Sequence, residues 1–241
     1  MIYKIYPLLV FLLLSFGKDS KSTADVKTTV TKTIAKVENK LTVESKIESI
    51  YNSLNSNNYK LPELKTFSEA MKGFYLLKER GIIQKNILTL IDFSLSSNTK
   101  RLWVIDMTTN TILFNSLVAH GRNTGEEFAT AFSNLNSSFK SSLGFYTTGE
   151  IYQGKHGASL RLDGLEKGLN SNARERGVVM HGADYVSESF IRDHKRLGRS
   201  QGCPAVPVEL TDEIIETIKD KSCLYIYHPS RTFTMEEKLI S

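Results

Sequence analysis

The sequence predicts a mostly β domain of sandwich or barrel type, with one late helix and a helical hairpin ahead of it. Three observations carry this. After Ile87 the apolar residues recur with period two, in short runs rich in β-branched and aromatic side chains. Long Gly- and Asn-rich loops separate these runs, and only one later segment, 207–220, has a helical period. The 241 residues suit one domain of ordinary size with an appendage. With 40% hydrophobic and 24% charged residues the composition is globular, which excludes a collagen-like, a mostly disordered and a disulfide-dense chain. The net charge of +5 is mildly basic and suits an anionic partner. No KH or RNP signature and no helix packed with basic residues is present, so nucleic acid is not an expected partner.

Taken in order, residues 1–17 place Lys4 ahead of an uncharged run with an apolar centre at Leu8–Leu14. That run is shorter than the roughly 20 residues a bilayer span needs and fits a secretory signal peptide. Ser15 and Gly17 put the cut after Gly17, and the chain is expected to be exported to the periplasm or cell envelope. Residues 18–42 are rich in Lys, Thr and Ser and read as a flexible tether. The helical hairpin is expected over 43–86. Ser45-x-x-Glu48 and Thr66-x-x-Glu69 match capping boxes, and Ile47, Ile50, Tyr51 and Leu54 share one face. Gly81 is placed to end the second helix.

The remainder, 87–241, is the expected main domain. Its strands are 88–95, 101–107, 111–120, 144–148, 159–162, 177–181 and 223–228, with a turn at Thr108-Thr109-Asn110. The late helix, Pro207–Asp220, turns Leu210, Ile214, Ile215 and Ile218 inward. Thr234–Ser241 reads as a frayed tail.

Residues 177–207, GVVMHGADYVSESFIRDHKRLGRSQGCPAVP, hold the chemistry. A strand ends at His181-Gly182, and a loop closes with Ser200-Gln201-Gly202-Cys203. A cysteine of ordinary pKa, roughly 8.5, carries little thiolate at neutral pH. A histidine takes its proton and later returns it to a leaving group. Gly202 lets backbone approach a substrate carbonyl, and Cys203's own N–H is a candidate oxyanion donor. Spacing alone does not separate such a pair from two structural residues. A second cysteine, Cys223, leaves a Cys203–Cys223 bridge open as an alternative. Against that bridge, Cys223 begins the apolar run CLYIY, where a thiol serves as a small buried hydrophobe.

His181-Gly182 followed by Ser200-Gln201-Gly202-Cys203 resembles the active-site segment of YkuD-type L,D-transpeptidases, in the branch described as a murein L,D-transpeptidase catalytic domain. The likeness covers about 88–228. It includes Gly121, the helix and strand after the cysteine, and Ser141–Tyr146, which is similar to the family's strand entry without its proline. The resemblance implies a YkuD-like β catalytic domain, Cys203 as nucleophile, His181 as base and the Gly182 carbonyl orienting the imidazole. It implies attack on a peptidoglycan stem tetrapeptide, release of D-alanine, and a thioester resolved by a second stem, an envelope-protein amine or water. Gln201 stands where the family usually has histidine. Pro204-Ala205 stands where an aliphatic residue and then Arg or Asn are usual, which removes the family's carboxylate contact there. Arg192, Arg196 and above all Arg199 are candidates to supply it instead.

Ser200, His156 and Tyr185 complete the candidate substrate contacts, with Tyr146 a further candidate for the cleft. His194 reads as exposed, and His120 and His228 end strands with no acidic or thiol partner in view. No HExxH, no ligand cluster and no phosphate-cradling loop is present, so neither a metal nor a nucleotide cofactor is expected. The rival reading is a peptidoglycan-binding module that kept the fold without the chemistry.

Overall fold

A computed structural model describes residues 43–155 and 157–231. The expected signal peptide, tether and C-terminal tail, and His156, lie outside the described residues.

Eight strands form one mixed sheet: β1 (Ile87–Asp92), β2 (Leu102–Asp106), β3 (Thr111–Ser116), β4 (Gly144–Gly154), β5 (Gly157–Gly164), β6 (Val179–Gly182), β7 (Ala205–Val206) and β8 (Cys223–Tyr227). Their spatial order is β3-β2-β1-β8-β4-β5-β6-β7. All pairings are antiparallel except β1 with β8 and β6 with β7. The chain just after β3 bridges to β7 through Ala119 and Ala205, with Ala119 N–H donating to Ala205 O at 2.8 Å. That bridge brings the two edges of the sheet together, so the sheet is nearly closed. The barrel-like, mostly β class read from the strand runs is the observed one.

Both faces of the central strands are buried, which is why they read as apolar runs and not as clean alternation. On the inner face Ile91, Leu102, Val104, Tyr146, Leu160, Met180, Leu224 and Ile226 pack around Ile214, Ile215 and Ile218 of helix α4 (Val208–Ile218). On the outer face Leu90 pairs with Trp103 and Tyr225, and Tyr225 pairs with Phe145. The Phe145 and Tyr225 rings stack at 4.2 Å.

Helix α2 (Leu64–Glu79) covers that outer row. It comes so close that a Cβ on Gly73 would overlap the Phe145 ring. A helix over 43–52, α1, packs on α2 through Tyr51 against Phe67 (centroids 5.5 Å) and Glu44 against Lys72 (3.2 Å).

Several local expectations are corrected. α1 already runs at residue 43, so Ser45 lies inside the helix and not at its N-cap position. α2 starts at Leu64 after Glu63, and the Thr66 hydroxyl donates instead to Asp92 Oδ2 at 3.1 Å. The strand expected from Gly144 to Thr148 runs on to Gly154, with a register shift between Thr148 and Ile151. Residues 188–194, read as loop, form helix α3 (Glu188–His194). No residue of α3 is buried, so its sequence lacks an apolar stripe; Ser187 caps it by accepting from Phe190 N–H. Gly81 does end α2. Its φ is +69°, and the Gly81 and Ile82 N–H groups return to Lys78 O and Leu77 O, the Schellman arrangement.

Candidate functional site

The sheet's last pairing builds the site. His181 of β6 is in register with Ala205 of β7, only two residues beyond Cys203. Two strand residues are enough to bring the loop 199–203 beside the end of β6. The loop is tied down from three directions. Ser200 Oγ accepts from Gly202 N–H at 3.0 Å and donates to Cys203 O at 2.6 Å. The segment 120–122 holds it from one side, with Ser200 N–H on His120 O and Arg122 N–H on Ser200 O. Buried Ser141 spans the two segments, accepting Gly121 N–H at 3.0 Å and donating to Gly202 O at 3.1 Å.

Gly202 is required on two counts. Its φ is +125°, and a Cβ there would lie 2.9 Å from Lys140 O. Ser141→Ala leaves two buried backbone groups unpaired. It is expected to cost about 1–3 kcal/mol in urea unfolding and to slow alkylation of Cys203.

His181 is buried, and its Nδ1 lies 2.9 Å from Gly182 O. A carbonyl only accepts, so Nδ1 carries the hydrogen and Nε2 of the neutral ring is the basic nitrogen. Gly182 has no space for a side chain, since a Cβ would lie 2.5 Å from Thr211 Oγ1 on the first turn of α4.

Cys203 is half-buried and Cys223 is buried; both are free thiols. Burial pushes the Cys203 thiol up, opposed by the Val179 N–H and by the positive charge of Arg176. Cys203's own N–H has no acceptor among the described residues, whereas Gly202's is taken by Ser200.

Cys203 and His181 border one cavity of about 520 Å³. The structure also brings Ser200, Arg199 and Tyr185 to it, so five sequence-predicted residues converge. Gly182 and Gly202 support its walls without lining it. Tyr146 is buried in the inner core and its hydroxyl bonds within 142–146, so packing and not the cleft explains it. Arg192 is exposed beside Asp193, and His194 is exposed and stacks on Phe190 at 4.0 Å. Arg196 pairs with Glu126 at 2.9 Å. Arg199 lines the cavity, but its Nη1 is committed to Glu126 Oε1 (2.6 Å), Gly125 O and Arg122 O.

The charged side chains lining the cavity, Lys155, Arg176 and Arg199, are all cationic, and no described lining residue is a carboxylate. Among the described residues no group of three His, Cys, Asp or Glu could hold a metal ion.

Arg176 is the site residue that sequence reasoning missed. It sits in the polar loop NSNARERG, two residues after Arg174. Arg174 turns outward to Glu150 and Asp163, whereas Arg176 turns into the cavity wall. The available signal was its place immediately before the strand that delivers His181.

A family model described as the L,D-transpeptidase catalytic domain matches residues 58–227. No curated protein matches the chain. Among solved structures, an L,D-transpeptidase from Mycobacterium smegmatis is similar at 11% identity, covering 59% of each chain, with a TM-score of 0.38. The helical cell shape determining protein Pgp2 from Campylobacter jejuni is similar at 15% identity, covering 66% of this chain and 56% of its own, with a TM-score of 0.39. L,D-transpeptidase 1 from Mycobacterium tuberculosis is similar at 8% identity, covering 59% of this chain and 62% of its own, with a TM-score of 0.35. The chain therefore spans less than two thirds of the length of each.

Proposed function

The chain belongs to the L,D-transpeptidase catalytic-domain family, and from that premise we propose that it is a peptidoglycan acyltransferase working through Cys203. The observation that carries the reading is the convergence of Cys203 and His181 on one cation-lined cavity. Stem peptides present carboxylates, and a cavity with positive and no negative walls favours them. The Cys203 proton passes to His181 Nε2. The sulfur then attacks the carbonyl carbon of the amide that joins the third stem residue to D-alanine. The developing oxyanion accepts from Cys203's own N–H.

Collapse breaks the C–N bond. The amine leaves as D-alanine with the proton held by His181, and a thioester remains on Cys203. An incoming amine or water attacks the thioester, gives its proton to His181, and sulfur departs as thiolate. A second stem gives a cross-link, an envelope-protein amine gives attachment, and water gives carboxypeptidase trimming. The family's chemistry on cell wall and the N-terminal segment 1–17 together support action outside the cytoplasm.

Intact-mass spectrometry of the purified protein tests this with disaccharide-tetrapeptide, and separately with a carbapenem. The expected result is a covalent adduct that peptide mapping assigns to Cys203, with D-alanine released from the tetrapeptide. An unmodified protein with two free thiols and no D-alanine would overturn the acyltransferase reading in favour of a binding module.

A further inference from the structure

We propose that Arg176 is the positioning residue of the nucleophile, a fixed cation beside Cys203 that favours its charged form while clamping the wall against which Gly202 packs. The proposal rests on Cys203 being the nucleophile. Its basis is geometric. Arg176 is half-buried, and all four of its Nη hydrogens have acceptors in one stretch of chain. Nη1 donates to Ser133 O at 2.8 Å and Ser142 Oγ at 3.3 Å; Nη2 donates to Lys140 O at 2.6 Å and Ser138 Oγ at 3.3 Å.

That stretch, 133–142, is the one from which Ser141 reaches Gly202 O. A Cβ built on Gly202 would lie 3.3 Å from Arg176 Nη2, so the guanidinium stands next to the residue preceding the nucleophile. A guanidinium held by four hydrogen bonds cannot swing away, unlike a surface lysine. Its charge is therefore a permanent part of the sulfur's surroundings.

This placement answers a problem set by the site itself. Cys203 is partly withdrawn from water, which disfavours the thiolate. His181 Nδ1 is held by a backbone carbonyl, Gly182 O. A neutral carbonyl orients the ring without supplying a charge that would hold an imidazolium beside a thiolate. Arg176 supplies positive charge from the thiolate's side, and burial lowers its own affinity for the proton while Tyr146 and then Cys203 raise it.

The other titratable groups around the cavity are Lys155 and Tyr152 from the β4–β5 hairpin, Tyr185 after β6, and Arg199. Of the cations, Arg199 is neutralised by Glu126, and Lys155 is exposed at the hairpin tip. Arg176 and the Val179 N–H are what favour the Cys203 thiolate against burial.

The test is the pH dependence of Cys203 alkylation by iodoacetamide, read by mass in the full chain. Buried Cys223 serves as the unreactive internal control. Arg176→Gln is expected to move the midpoint upward, making alkylation roughly tenfold slower at pH 7 and converging with the wild type at high pH. Arg176→Lys keeps a charge without the fork and is expected to fall between the two. D-alanine release should drop in proportion through kcat. Ser138→Ala, which removes one hydrogen bond and no charge, should leave the midpoint in place.

A midpoint that does not depend on residue 176, in whichever of the two variants folds, overturns the proposal and leaves Arg176 a structural clamp. Because alkylation needs no substrate, it reports on Arg176 even if the wild type releases no D-alanine. That latter result would count against the acyltransferase reading alone.

Discussion

In His181→Gln, acylation of Cys203 by stem tetrapeptide is expected to fall about a hundred- to ten-thousand-fold, the range general acid–base catalysis supplies. The loss should shrink as pH rises. In the wild type His181 takes the thiol proton within the complex, so the rate need not wait for solvent hydroxide. In the variant only molecules already ionised react, and burial has pushed the Cys203 thiol above its ordinary range. The thiolate fraction then grows about tenfold per pH unit until the thiol titrates, and the rate of the variant should climb with it.

Glutamine is the informative substitution because its amide can still donate to Gly182 O, where Nδ1 donates now. Orientation of the wall is kept while the base is removed. Single-turnover acylation followed by mass between pH 6 and 9 reads both the loss and the slope. A variant with the wild-type rate and a flat profile would mean that His181 is not the base.

How much of this was legible in the sequence depends on how local each signal is. The strands were legible because apolar and β-branched runs report burial directly, and α4 because Ile214, Ile215 and Ile218 repeat at helical spacing. His181 and Cys203 were legible as residue types in a loop context. The joint that brings them together was not. β7 is two residues long, and two residues carry no periodicity; its existence follows from pairing with β6 and with Ala119, and pairing is non-local.

Capping boxes misled for a related reason. Thr66 and Glu69 have the right spacing, but the Thr66 hydroxyl is used 26 residues away by Asp92. Arg174 and Arg176 are equivalent by composition, and only the packed 133–142 loop distinguishes the surface ion pair from the cavity wall.

His120 had no visible partner in the sequence, and the structure supplies one that gives an acid-sensitive stability. The ring is buried, with Nδ1 2.9 Å from Nη2 of fully buried Arg101 and Nε2 3.3 Å from Gly125 O. Arginine only donates, so Nδ1 accepts and the ring is neutral, its hydrogen on Nε2. Arg101 is held by Val118 O and Leu95 O and lies 4.9 Å from the Phe93 ring centroid. Burial first, then the Arg101 charge, depress the His120 pKa to about 4.

The unfolded chain titrates this histidine near 6.5. Between 6.5 and about 4 the unfolded state therefore holds more protons than the folded one, and stability falls as pH falls through that window. Above it both states are neutral, and below it both are protonated, so the loss is confined there. Its full size is about 3 kcal/mol. Urea unfolding at pH 7, 6, 5 and 4 should show His120→Gln losing correspondingly less than the wild type over this range. Identical pH dependence would remove His120 as the cause.

The loss should also reach the site. His120 O accepts Ser200 N–H, and Gly125 O is shared with Arg199 Nη1, so an imidazolium pushed off Arg101 disturbs the backbone that holds Cys203. Acid should therefore release the 199–203 loop along with the buried pair, read as faster hydrogen exchange of the Ser200 N–H that His120 O now accepts.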